Sequence, residues 1–216
     1  MAIKVIVCGE GPTDVGKMDC DTSKWIPGPA IAYIKNASTK KLQIDGIQKN
    51  KLPRIQKAKC KKGHSVKAER LCRYAILKSY KVAICYVDCD NNDFEAIYSD
   101  ISCGFSFYSN QVIGIPMIPK AMIESWLLAD EKAFIKVFGK KPSHPPLPKK
   151  PESLWGEKSD PESNYPKNVL NRIVTQFKRK PDSWRYDLAC KANTNILSKK
   201  CPVSYGRFLC DMQKIE

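Results

Sequence analysis

The chain is expected to fold as an α/β protein, a parallel sheet flanked by helices with a helical extension at the C-terminal end. Three observations predict this. Short apolar runs of strand length occur at residues 2–8, 82–87 and 111–118. Segments of helix length separate them, the order that builds parallel β-α-β units. The 216 residues are 43% hydrophobic and 27% charged, the balance of a globular chain of about one domain.

Taken in order, residues 2–8 read as a buried strand ending at Gly9. Residues 10–28 mix Gly, Pro and Asp and are expected to be a loop. A short helix follows over 29–35, its proline tolerated in the first turn. Residues 38–65 are polar, basic and weakly periodic, so a loop or basic insertion is expected there. From 66 to 79 the apolar positions Val66, Leu71, Tyr74, Ala75 and Leu77 fit an amphipathic helix. Lys67, Arg70 and Arg73 would share one of its faces. The strand at 82–87 stops abruptly in Asp88-Cys89-Asp90-Asn91-Asn92-Asp93, with Asp93 suited to cap the helix expected over 94–101. A third strand over 111–118 leads past Pro119 into a helix over 120–129. Prolines between 142 and 151 mark a break, beyond which helices are expected at 167–177 and 205–212. The expected division is therefore residues 1–130 as an α/β domain and 131–216 as a Pro-rich linker with a basic helical extension.

Charge is distributed in blocks. Residues 49–81 hold 12 basic groups and 1 acidic group, whereas residues 82–134 hold 2 basic and 8 acidic. The whole chain carries +15. An acidic segment between basic ones suits a polyanion gripped around a cluster of carboxylates, so nucleic acid is the expected partner. Lys57, Lys59, Lys61, Lys62, Lys67, Arg70 and Arg73 are the candidate backbone-binding residues. No apolar run approaches the ~18 residues of a membrane span, and the sequence starts without a signal-peptide pattern, so a cytoplasmic protein is expected. Ten cysteines lie within strand and helix patterns rather than in a disulfide framework. Cys60, His64 and Cys72 are spaced too loosely for structural zinc, and two histidines leave little scope for histidine-based catalysis.

In an open parallel sheet, function gathers beyond the carboxyl ends of the strands. There the first strand delivers Glu10 and Asp14, and the second delivers Asp88 and Asp90, whose period-two spacing would point them together. Carboxylates so placed repel one another without a cation, and all-oxygen ligands suit Mg²⁺ or Mn²⁺.

Glu10-Gly11-Pro12-Thr13-Asp14 after one apolar strand and Asp88-Cys89-Asp90 after another resemble the Toprim domain of topoisomerases, primases and OLD-type nucleases. The segment from Ile118 to Asp130, with Lys120, Glu124 and Trp126, and the later Pro151-Glu152 and Pro166-Lys167, resemble small stand-alone Toprim proteins of bacterial anti-phage defence loci. The resemblance implies a metal-dependent nuclease. Glu10 would act as general acid/base or metal ligand, with Asp88 and Asp90 holding the ion against the phosphate. Asp14 and Glu124 would complete a second metal position, and Lys120 would steady the transition-state charge. It also implies a separate ATPase subunit. The polar stretch after Asp14 departs from the Toprim pattern, so Asp19 or Asp21 are alternatives to Asp14.

Other readings are a non-catalytic nucleic-acid-binding or regulatory subunit, a phosphatase with Asp88 as nucleophile, and a P-loop NTPase. Gly11 to Met18 nearly spells a P-loop, but Met18 stands where Ser or Thr should hold Mg²⁺, and Asp14 would put negative charge in a phosphate cradle.

Overall fold

The computed structural model describes the chain except at Met1, Glu10, Pro12, Asp19, Cys20, residues 22–24, Lys62 and Arg179. Four parallel strands form the central sheet: β1 (Ile3–Gly9), β4 (Leu42–Gln48), β5 (Val82–Tyr86) and β6 (Ile113–Met117), in the order β4-β1-β5-β6. A separate two-stranded antiparallel ribbon pairs β2 (Gly16–Met18) with β3 (Trp25–Pro27). Helix α1 (Pro29–Asn36) links β3 to β4, α2 (Gly63–Leu77) links β4 to β5, and α3 (Phe94–Ser106) links β5 to β6. Among the described residues, the α-helices that follow are α4 (Ile123–Leu127), α5 (Glu131–Phe138), α6 (Pro166–Val174), α7 (Trp184–Lys191), α8 (Thr194–Lys200) and α9 (Arg207–Met212).

Strand alternation sorts the apolar side chains into two layers. Val5, Val7, Val82, Ile84 and Tyr86 enter one core with α1 and the C-terminal helices, while Ile6, Cys8, Ala83, Cys85 and Val87 enter the other with α2 and α3. The first two crossovers run in opposite directions across the sheet and use opposite faces, so they keep one hand. Residues beyond 130 help to cover one face of the sheet: Phe134, Leu170, Ile173, Leu188, Leu197, Tyr205 and Phe208 share a core with β1, β5 and α1. The boundary expected near residue 130 therefore does not separate two cores.

Two expected loops contain strands. The ribbon lies in the 10–28 segment, and β4 lies in the 38–65 segment. β4 reads Leu-Gln-Ile-Asp-Gly-Ile-Gln and sits half-exposed at the sheet edge, so it lacks the continuous apolar run by which β5 announces itself. α2 forms where expected but is rotated. Its buried stripe is Ala68, Leu71, Cys72 and Ala75, leaving Leu77 74% exposed and turning Lys67 inward. Asp93 caps α3, its carboxylate accepting from the amides of Glu95 and Ala96. Helices α5, α7 and α8 were not expected. Among the described residues, no helix is long and apolar enough to cross a membrane.

Candidate functional site

The chain leaves β1 toward β4 on one side and reaches β5 and β6 on the other. This order makes a switch point between β1 and β5, where the diverging connections open a crevice at the carboxyl edge of the sheet. Asp88 stands there, two residues past β5. Its Oδ1 accepts from the Tyr86 hydroxyl at 2.6 Å and from the Ile123 amide at 3.1 Å. Oδ2 accepts from no donor among the described residues. Burial first, then the nearby charges of Asp14, Glu124 and Asp90, push the Asp88 carboxyl up to about 8, although the Tyr86 hydrogen bond works the other way.

Asp14 is placed by backbone packing. The Ala30 amide donates to the Asp14 carbonyl at 3.0 Å and the Gly28 amide to the Val15 carbonyl at 3.0 Å. The turn thus lies directly against the start of α1, and a Cβ at Gly28 would come within 2.2 Å of the Asp14 carbonyl oxygen. Glu124 lies in the first turn of α4 and is 4% exposed.

Between these two carboxylates lies Arg185 of α7. Nη1 donates to Glu124 Oε1 at 2.8 Å and Nη2 to Asp14 Oδ1 at 3.2 Å. The pair expected to complete a second metal position is therefore bridged by a guanidinium. Burial opposes the charge on Arg185, but Glu124 and Asp14 outweigh it and raise its pKa. Asp14 remains above the ordinary carboxyl range, chiefly through burial, with Glu124 adding to the shift and Arg185 opposing it. Nε of Arg185 is buried without an acceptor among the described residues. No sequence signal announces this arginine, which lies 171 positions from Asp14.

Asp90 is exposed and has φ 51°, and its amide donates to the carbonyl of Ala121, itself at φ 62°, at 2.7 Å. β5 ends at Tyr86, and the left-handed turn breaks the alternation that would aim Asp88 and Asp90 together. They still interact electrostatically. Exposed Lys120 lines the same cavity as Asp90. Glu10, expected to be the general acid/base, lies outside the described residues, as does Asp19. Among the described residues, no group of three or more His, Cys, Asp or Glu side chains is arranged to hold a metal ion.

The basic segment leaves β4 at this same carboxyl edge but then runs along α2 away from it: Arg73 donates to the Lys57 carbonyl, and the Lys59 ammonium lies over the rings of Phe107 and Tyr108, which precede β6. Lys57, Lys59 and Lys61 are exposed, and Lys62 lies outside the described residues. Lys67 does not join them: it is 5% exposed, and its ammonium donates to the Tyr86 carbonyl at 2.9 Å. Arg70 and Arg73 are turned to structural use. Arg70 donates to the carbonyls of Leu52 and Pro53, and Arg73 to those of Lys57, to Tyr108 Oη and to Glu69. Buried Glu69 also accepts from the amides of Lys59 and Cys60 at 3.0 and 2.9 Å. Burial alone would raise its carboxyl, but these hydrogen bonds hold it below the usual range. The arginines and Glu69 thus shape the loop, and the lysines are its outward charge.

The P-loop reading fails on local structure. Residues 13–15 form a turn and Gly16–Met18 a strand, so no helix N-terminus follows to receive phosphates. No protein-family model, curated protein or solved structure matches the chain.

Proposed function

We propose that this protein is a divalent-metal-dependent nuclease that hydrolyses phosphodiester bonds of nucleic acid. The observation that carries the reading is the gathering of Asp88, Asp90, Asp14 and Glu124 at the β1/β5 switch point, with Asp88 accepting hydrogen bonds from the described residues on one oxygen. Such a concentration of negative charge favours a hard cation between carboxylate and phosphate. The resemblance of these segments to Toprim proteins supports the same reading.

One ion is proposed rather than two, because Arg185 already meets the charge of Asp14 and Glu124. Asp88 and Asp90 would hold it, with Glu10 joining them as the Toprim resemblance implies. Mg²⁺ or Mn²⁺ bound there supplies electrostatic stabilisation to the reacting phosphoryl group. The chain does the rest. Tyr86 and the Ile123 amide fix Asp88, leaving Oδ2 available. Arg185 holds Asp14 and Glu124 in register, Lys120 counters phosphate charge, and Lys57, Lys59 and Lys61 grip the backbone of a nucleic acid that extends along α2. A role in anti-phage defence and regulation by a separate ATPase subunit are implied by the Toprim resemblance and belong to the same proposal, as does the cytoplasmic location expected from the sequence.

A second reading, a non-catalytic nucleic-acid-binding subunit, draws on the Arg185 bridge, which gives two of the carboxylates a structural use. Incubation with plasmid, single-stranded DNA and RNA in Mn²⁺ separates the two. Cleavage that disappears in Asp88→Asn with Asp90→Asn supports the nuclease, whereas intact substrate under tight binding supports the subunit.

A further inference from the structure

Beside the carboxylates lies a cavity of about 280 Å³ bounded by the Asp90–Asn92 turn, Lys120 and Trp155. It is slightly smaller than the roughly 300–1,000 Å³ of pockets for drug-sized ligands, which suits a small planar group. Trp155 is the exposed member of the four tryptophans, with 39% of its surface open. A large apolar ring held in water beside a charged site asks for a partner.

The ring is rigidly mounted. It packs edge-on against Tyr165, with ring centroids 5.6 Å apart. The segment before it is pinned by buried Glu152, which accepts from the Ser204 amide at 2.7 Å, the Val203 amide at 3.2 Å and the Ser204 hydroxyl. Ser204 in turn accepts from the indole of Trp126, in the same helix as Glu124. The negative charge of Glu152 is thereby directed into the protein rather than into the cavity. Tyr165 links the platform to the carboxylates: burial, then Asp90, Glu124 and Asp88, push its hydroxyl up.

We infer that Trp155 is a stacking platform for a nucleobase of single-stranded nucleic acid, with Asn91 and Lys120 meeting the polar edge and phosphate of the same nucleotide. This deepens the proposed function and rests on it for the identity of the ligand. Stacking requires an unpaired base face, so the substrate is a single strand or a frayed duplex rather than an intact helix.

The test is binding of short fluorescent oligonucleotides by the full chain in EDTA, where cleavage plays no part. A single strand is expected to bind more tightly than a duplex of the same length. Trp155→Ala is expected to weaken it about tenfold or more, and Trp155→Phe to preserve most of the affinity. The salt dependence should not change, because stacking releases no counterions. A strand with abasic positions is expected to lose the same margin with the wild-type protein and none with Trp155→Ala. Equal binding of intact and abasic strands by the wild-type protein overturns the inference, even where the alanine variant folds poorly. If stacking is found but Mn²⁺ yields no cleavage, the nuclease reading alone falls; cleavage without dependence on Trp155 removes only the platform.

Discussion

Replacing Asp88 by Asn tests the electrostatic centre of the site without disturbing its shape. The amide oxygen of Asn can still accept from Tyr86 and Ile123, the two bonds now made by Oδ1. What changes is the charge. In the unfolded chain the Asp88 carboxyl titrates near 4, and in the folded protein it titrates at about 8. Between these values the native state holds the proton more tightly than the unfolded chain, so stability falls as pH rises through that interval and levels off above it. Each pH unit costs about 1.4 kcal/mol, giving about 5 kcal/mol across the whole window. Asp88→Asn removes this penalty. Urea denaturation in EDTA at intervals from pH 5 to pH 9 is expected to show a variant close to the wild type at the acid end and several kcal/mol more stable at the alkaline end. Mg²⁺ should narrow the gap at high pH by stabilising only the wild-type protein. Stability curves that run parallel for the two proteins over this range would refute the claim that burial and the neighbouring carboxylates destabilise the ionised group.

Removing the bridging cation should act in the opposite sense. Arg185→Met leaves Asp14 and Glu124 without their shared partner and is expected to cost about 3 kcal/mol in urea denaturation at neutral pH. Replacing Lys57, Lys59 and Lys61 together with Gln should lower the slope of log affinity against log salt by about 2, read by filter binding or fluorescence anisotropy. The same experiment on Lys67, which is buried, should show a stability loss instead. Ser204→Ala removes the hydroxyl that joins Trp126 to Glu152 and is expected to cost about 1–3 kcal/mol, measured as a shift in the denaturation midpoint.

The central strands were legible because they are buried on both faces. β1 and β5 are continuous apolar runs, and their carboxyl ends could be located before any coordinates. β4 was not, because an edge strand needs to bury little and carries Gln, Asp and Gly without penalty. The ribbon escaped notice because strands of three residues give no periodicity to read. The positions of Asp88 and Asp14 near the carboxyl edge were legible from the rule that strand ends in parallel sheets face the crevice. Arg185 could not be found that way, since its role depends on how α7 docks against α1 and α4. The error on Lys67 has a similar origin. Reading α2 from its large apolar residues missed the small ones, Ala68 and Cys72, which face the sheet, and a helix turned by one position exchanges its inner and outer charges.

The docking of α7 also fixes when the site can exist. Arg185 leaves the ribosome well after Asp14 and Glu124, and until it arrives those two carboxylates do not have its guanidinium to face. A nascent chain halted before that point carries mutually repelling acids on a sheet whose face, though covered in part by α1 and α4, lacks the packing of α7 to α9. Biosynthesis thus imposes its own delay: the acidic cleft is complete only once α7 has been made and docked.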